Sequence, residues 1–311
     1  MKNIAIAIHG GAGTITRASL TPEQDKQYRA ALQEALHAGH AVLAKGGSSL
    51  DAVEVAVARL EDSPLFNAGR GSVFTKEGKH EMDAAIMCGK TLAAGAVAGV
   101  RNIRNPILLS RAVMEHSDHV MLSSYGAEDF ARNHDIEFAP EGYFFDAYRY
   151  RQWSEVRDSN IFMLDHTEQT DEKFGTVGAV ALDANGHVAA ATSTGGMTNK
   201  NYNRIGDTPI IGSGTYANNK TCAVSCTGHG EFFMRAVVAY DVSCLMEYKG
   251  YTLQEACDQV VMEKLVALGG EGGLIAVSPR GEIAMPFNSE GMYRASQQNS
   301  DPPYVGIYRE G

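Results

Sequence analysis

The sequence predicts a mixed α/β protein of stacked β-sheets with helices on their outer sides. Three observations carry that expectation. The chain has 311 residues, 44% hydrophobic and 21% charged, enough to bury a large core and too mixed for a disordered or fibrous chain. Its apolar patterning runs in blocks of strands, helices, strands, helices and strands, which suits packed sheets better than strict βαβ alternation. Finally, residues 175–196, GTVGAVALDANGHVAAATSTGG, read as two small-residue strands around an Asn185-Gly186 turn.

In chain order, residues 3–8 form an apolar run that reads as a buried strand entering a tight GGAG loop at 10–13. A helix starts at Thr21-Pro22, with Glu23 and Asp25 in its first turn, and stops at Gly46-Gly47. Ser48, with Asp51 three residues on, caps a second helix that turns Val53, Val57 and Leu60 inward and ends before Pro64. Residues 65–100 alternate glycine with short apolar runs, as short strands and turns do. Helical periodicity returns at 106–116 and 125–133. The stretch 134–175 is polar and aromatic, and its charged end, 166–173, reads as an exposed linker. After the hairpin come a strand at 221–226, a long helix at 229–247, a helix at 252–267, and strands at 273–277 and 283–287. No internal repeat divides the chain, and its length leaves one domain or two open.

Lys and Arg total 27 against 37 Asp and Glu, and the net charge of −10 repels phosphate backbones and anionic lipid. Nucleic acid and membrane are therefore not expected partners. No apolar run reaches the length of a membrane span. Five cysteines without a C-x-x-C pair argue against a disulfide framework and for a reducing cytoplasm, and the apolar run at 4–8 is too short for a signal peptide. Cys222 and Cys226 sit an even number apart in a strand, which reads as packing.

Two motifs fail on detail. The GGAG loop lacks the third glycine of a dinucleotide site, and no G-K-[ST] stands next to it. His116, His119 and Glu115 find no further metal ligand in the pattern and read as a solvated helix end. The junction at Gly175-Thr176 is different. With a three-residue loop, a type I turn closed by Gly186 in a left-handed bulge, the hairpin register sets Thr194 directly across from Thr176. A two-residue loop would put Thr194 on the opposite face.

At this point the sequence resembles a known family. IHGGAG (8–13), PLFNAGRGSVFT (64–75), GTVGAVALD (175–183), ATSTGGMTNK (191–200), RIGDTPIIG (204–212) and SCTGHGE (225–231) are similar, in order and across nearly the whole chain, to plant-type asparaginase/isoaspartyl peptidases among the N-terminal-nucleophile hydrolases. The resemblance implies a four-layer αββα sandwich in a single domain, 1–311. It also implies self-cleavage between Gly175 and Thr176, giving fragments 1–175 and 176–311 that stay together and pair as a dimer of heterodimers. Thr176 would then be the nucleophile and its free α-amine, ordinarily near pKa ~8, the base.

By the same resemblance, Thr194 supports the nucleophile, Thr227 and the Gly228 N–H form the oxyanion hole, and Asn67 approaches from the other fragment. Arg204 and Asp207 would hold the carboxylate and amine of an aspartyl group, and Gly230, where the helix near 229 begins with free N–H groups, would join the substrate site. The carbonyls of Leu60, Glu61, Ser63, Phe66, Ala68 and Arg70 would ring a structural sodium, and catalysis would need no cofactor. Expected substrates are β-aspartyl dipeptides and L-asparagine. A glycosylasparaginase-type hydrolase and an unprocessed aspartyl-ligand binding protein are the alternatives. His229 and Arg70 stand where the family often carries a smaller hydroxyl residue and an aliphatic one.

Overall fold

The computed structural model describes residues 3–158 and 175–309, and the charged stretch 166–173 lies outside the described residues. The first half runs β1 (Ala5–Gly13), α1 (Pro22–Ala44), α2 (Ser49–Asp62), a 3-10 turn (Gly69–Gly71), β2 (Met82–Cys88), β3 (Ala94–Val100), α3 (Pro106–His116), β4 (Met121–Ser123), α4 (Ser124–Arg132), α5 (Glu141–Phe144) and α6 (Ala147–Val156). Next come β5 (Val177–Leu182), β6 (Val188–Thr194), β7 (Thr215–Ala217), β8 (Ala223–Gly228), α7 (Gly230–Ala236) and α8 (Val238–Lys249). The chain closes with α9 (Leu253–Asp258), a π-helical segment (Gln259–Lys264), α10 (Leu265–Leu268), β9 (Gly272–Val277), β10 (Ile283–Ala284), β11 (Gly291–Gln298) and β12 (Tyr304–Tyr308).

The strands form two sheets, ordered β12-β11-β1-β5-β6-β2-β3-β4 and β10-β9-β8-β7. Both faces of the central strands are buried, which is why their sequences read as continuous apolar runs. On β1, Ile6 and Ile8 pack with Leu32 and Leu36 of α1 and Val53 and Val57 of α2, together with Ala179 and Ala181 of β5 and Ala189 and Ala191 of β6. The alternate residues Ala5, Ala7, Val180, Leu182, Val188 and Ala190 join Ala223, Ile275 and Val277 of the second sheet. Period-two alternation thus gives each strand a helix-facing set and a sheet-facing set. A third cluster holds Cys222, Val224 and Cys226 against Val242, Leu253 and Val260, so both cysteines are packing residues as expected.

The caps of α1 and α2 follow the sequence. Thr21 and Gln24 form a reciprocal capping box with Pro22 in the first turn, and Ser48 accepts from the Asp51 N–H. Other expectations are corrected. GGAG is not a loop, because β1 continues through it with a bulge between His9 and Gly11 and stays paired with β11. The helix expected at 229–247 breaks at Val237, held in the left-handed region at φ 51°, into α7 and α8. The helix at 252–267 contains the π-helical segment. The strand expected at 283–287 spans Ile283–Ala284, while α6, β11 and β12 lie in stretches without a clear periodic signal.

Candidate active site

The hairpin follows the three-residue loop. Asp183 N–H donates to the His187 carbonyl at 2.9 Å, Gly186 N–H donates to the Asp183 carbonyl at 3.0 Å, and Gly186 takes φ 80°. The Asp183 carboxylate accepts from the N–H groups of Asn185, His187 and Ser49, tying the turn to the start of α2. Pairs run from Leu182–Val188 to Val177–Ser193, and one further step sets Thr176 across from Thr194.

Side-chain alternation decides where these hydroxyls point. Thr176 shares a strand face with Val180 and Leu182, Thr194 with Ala190, and Thr227 with Ala223, all residues of the cluster between the sheets. Thr176 and Thr194 on the first sheet and Thr227 on the second therefore point into the layer between the sheets, and all are buried. Gly175 has φ 66°, a left-handed conformation suited to glycine, and a Cβ there would stand 3.1 Å from Thr227 Oγ1. Thr227 Oγ1 is buried without a hydrogen-bond partner among the described residues. A buried hydroxyl left unmatched beside the junction is available to a ligand or a developing charge.

One layer deeper lies a polar chain that sequence reasoning missed. His9 Nε2 and Ser225 Oγ are 2.9 Å apart, Ser225 Oγ and Thr192 Oγ1 2.8 Å, and Thr215 Oγ1 donates to Thr192 Oγ1 at 2.7 Å. Burial lowers the His9 imidazole to about 3, with the Thr176 main chain opposing, so the ring is neutral. Gly178 makes room for it, since a Cβ would fall 2.0 Å from Ser225 Oγ and 2.5 Å from His9 Nε2. His9 lies within IHGGAG and was legible only as part of that string.

Asn67 reaches this end from the loop after α2. Its Nδ2 donates to the Gly196 carbonyl at 2.7 Å, its carbonyl accepts from Gly195 N–H at 2.9 Å, and its Oδ1 accepts from Val73 N–H at 3.0 Å. Thr194 Oγ1 accepts from Gly196 N–H at 3.0 Å, so the bend after β6 is held from both sides. Below the bend, Lys200 Nζ donates to the Glu81 carbonyl at 2.8 Å, and burial lowers its ammonium.

Arg204 and Asp207 form no ion pair with each other. Arg204 instead makes a bidentate pair with Glu231, Nε to Oε1 at 2.9 Å and Nη2 to Oε2 at 2.7 Å, a partner the sequence reading did not assign. Asp207 is buried with Oδ2 unpartnered among the described residues, and burial raises its carboxyl to about 7, with its own main chain and the Arg204 charge opposing. Gly230 closes the gap between them, because a Cβ there would stand 2.8 Å from Asp207 Oδ1 and 2.9 Å from Arg204 Nη2. A guanidinium and an unmatched carboxylate facing the same glycine can take the two charges of an amino acid. His229 Nε2 lies 3.9 Å from Glu231 at the outer side.

In the loop at 60–71, the Leu60, Phe66 and Ala68 carbonyls accept from Ser63, Ala68 and Gly71 N–H groups, which leaves each a second lone pair. The Glu61 carbonyl crowds Gly69, where a Cβ would lie 2.5 Å away. The Glu61 carboxyl is buried, accepts from Ser193 Oγ at 2.6 Å and Ile107 N–H at 3.0 Å, and is raised by burial to about 8. An uncharged set of hard oxygens suits a weakly held cation of low charge. Arg70 is exposed, its guanidinium 5.5 Å from the Tyr143 ring centre. No cluster of three or more His, Cys, Asp or Glu fit for a metal occurs among the described residues, His116 and His119 included.

Against this geometry, a family model described as asparaginase matches residues 2–307. An isoaspartyl peptidase of Escherichia coli (strain K12) is 53% identical over the whole chain and 98% of its own length. A putative isoaspartyl peptidase/L-asparaginase of Dictyostelium discoideum is 47% identical over 94% of this chain and 93% of its own, and a plant-type L-asparaginase of Thermococcus kodakarensis is 42% identical over 97% and 99%.

Proposed function

The chain belongs to the asparaginase family, and from that premise we propose that it hydrolyses β-aspartyl (isoaspartyl) dipeptides and the side-chain amide of L-asparagine, as a threonine hydrolase that first cleaves itself. The observation that carries the reading is the convergence of Thr176, Thr194 and Thr227 between the sheets beside a left-handed Gly175.

In the precursor the Thr176 hydroxyl attacks the Gly175 carbonyl, the peptide becomes an ester, and water releases residues 1–175 from 176–311. The freed α-amine then takes the hydroxyl proton as Oγ attacks the aspartyl side-chain carbonyl. Thr227 and the Gly228 N–H stabilise the oxyanion, worth about 3–4 kcal/mol per donor in well-formed holes. The amine returns its proton to the leaving ammonia or amino acid, and water hydrolyses the aspartyl ester. Arg204 holds the substrate carboxylate and Asp207 its ammonium. Both substrates share one acyl group, so one pocket serves both.

The fold that goes with this chemistry is a single αββα unit, supported by the sheet-to-sheet cluster and the helix-packed clusters on either side of it. The two fragments remain one body and pair as a dimer of heterodimers. The carbonyls at 60–71 would hold a sodium ion, which supplies rigidity to the loop carrying Asn67. Five free thiols, three of them buried, suit a reducing cytoplasm. Assays of purified protein with an isoaspartyl dipeptide, L-asparagine and a glycosyl-asparagine test the reading: release of aspartate from the first two supports it, and turnover of the third alone overturns it.

A further inference from the structure

We propose that Asn288 is a positioning residue for the oxyanion hole, acting through the start of β9 on the Gly228–His229 peptide. The inference rests on the assignment of the Gly228 N–H as an oxyanion donor, and Asn288 itself is given no role above. Asn288 uses three of its four side-chain hydrogen-bonding positions on one short stretch and one helix. Its Nδ2 donates to the Gly270 carbonyl at 3.0 Å and to the Val261 carbonyl at 3.1 Å, and its Oδ1 accepts from Gly272 N–H at 2.8 Å. Its own N–H donates to the Gly272 carbonyl at 2.9 Å. Residues 270–272 are thus held from the side opposite β8.

Val261 belongs to the π-helical segment, a widened turn of the kind that recurs at functional sites. Its carbonyl serves Asn288, which gives the irregular turn a purpose that core packing alone does not. On the other side, β8 and β9 cross at a pair of glycines, Gly228 opposite Gly272. A Cβ on Gly228 would lie 2.4 Å from the Glu271 carbonyl oxygen, and one on Gly272 would lie 2.3 Å from the Thr227 carbonyl oxygen. The Glu271 carbonyl also accepts from His229 N–H at 3.0 Å. Main chain rests on main chain, with the Phe233 ring packed beside both glycines. Movement of 270–272 therefore passes to the Gly228 N–H, whose value depends on aiming within a few tenths of an ångström at the developing oxyanion.

The test uses Asn288→Asp, which keeps the acceptor toward Gly272 but replaces both donors with oxygen facing carbonyls, and Asn288→Ala, which removes all three bonds. Hydrogen exchange of the whole matured protein, both fragments together, and steady-state kinetics on L-asparagine are measured together. The expected result is at least about tenfold faster exchange in the 226–232 segment with β5 and β6 unchanged, a kcat at least about tenfold lower, and KM within about twofold of wild type. Unchanged exchange at 226–232 overturns the proposal, as does faster exchange with kcat intact. A general loss of folding appears instead as faster exchange in every segment, with KM rising, and also counts against it. A wild-type protein without turnover would overturn the function reading, while the exchange measurement still decides whether Asn288 holds the Gly228 peptide.

Discussion

Replacing Asp207 with Asn probes the substrate site through a single charge. Asp207 is fully buried, and burial holds its carboxyl near 7 rather than at its ordinary 3.8. Only the ionised form attracts the substrate ammonium. As pH falls below 7 the free enzyme is increasingly protonated at this position, and KM rises about tenfold for each further unit. Above 7 the carboxylate is formed and KM levels off. The Asp207→Asn side chain has the same shape without the charge, so it loses a charge-assisted hydrogen bond of about 1.5–3 kcal/mol, roughly 10- to 150-fold in kcat/KM. It also loses the KM dependence on pH near 7, while kcat keeps any dependence that comes from the Thr176 amine, ordinarily near pKa ~8. Ammonia release from L-asparagine between pH 5 and 9, for both proteins, measures these quantities. An Asp207→Asn protein with wild-type KM and an unaltered KM profile refutes the reasoning.

Two further outcomes follow from buried positions. Gly178→Ala drives a methyl group into the His9–Ser225 contact, so thermal and urea denaturation should show about 2–6 kcal/mol of lost stability, combining overpacking with a broken buried hydrogen bond. Gly142→Ala, whose Cβ meets open space, should stay within about 0.5 kcal/mol, and equal effects of the two would contradict the geometry. For Glu61, burial raises the folded carboxyl to about 8 from 4.5, so the folded state binds the proton more tightly than the unfolded one. Its contribution is therefore present below about 4.5 and is lost as pH rises through 8, at up to about 1.4 kcal/mol per unit. Glu61→Gln should flatten the wild-type decline in urea midpoint between pH 5 and 8, and an unchanged slope would count against this origin.

Local chemistry was legible where neighbours in sequence decide the outcome. The caps at Thr21 and Ser48 and the turn at 183–187 use side chains and backbone within a few residues, so the sequence offers the three-residue loop that aligns Thr176 with Thr194 beside a two-residue loop that does not, and the strand pairing decides for the first. Long-range pairing was not legible. GGAG reads as a loop, yet β11 holds it as a strand with a bulge, and the polar run Gly291–Gln298 reads as no strand until β1 and β12 flank it. Val237 gives no sequence sign of a helix break, because the partners there are distant in sequence: the Ala239 and Tyr240 N–H groups at the start of α8 donate to the Ser213 and Gly212 carbonyls. In the site, threonines were found through the hairpin and the family resemblance. Glu231, 27 residues from Arg204, and His9, far from Ser225, depend on the fold to meet their partners.

The central claim is that Thr176 becomes a chain terminus whose hydroxyl attacks and whose amine serves as base. N-terminal sequencing of the purified active protein, beside the Thr176→Ala variant, tests it most directly. The account predicts a second chain reading Thr-Val-Gly-Ala-Val in the wild type, and a single uncut chain without turnover in the variant. Turnover of an isoaspartyl dipeptide by a preparation whose only N-terminus lies at the start of the chain would contradict it.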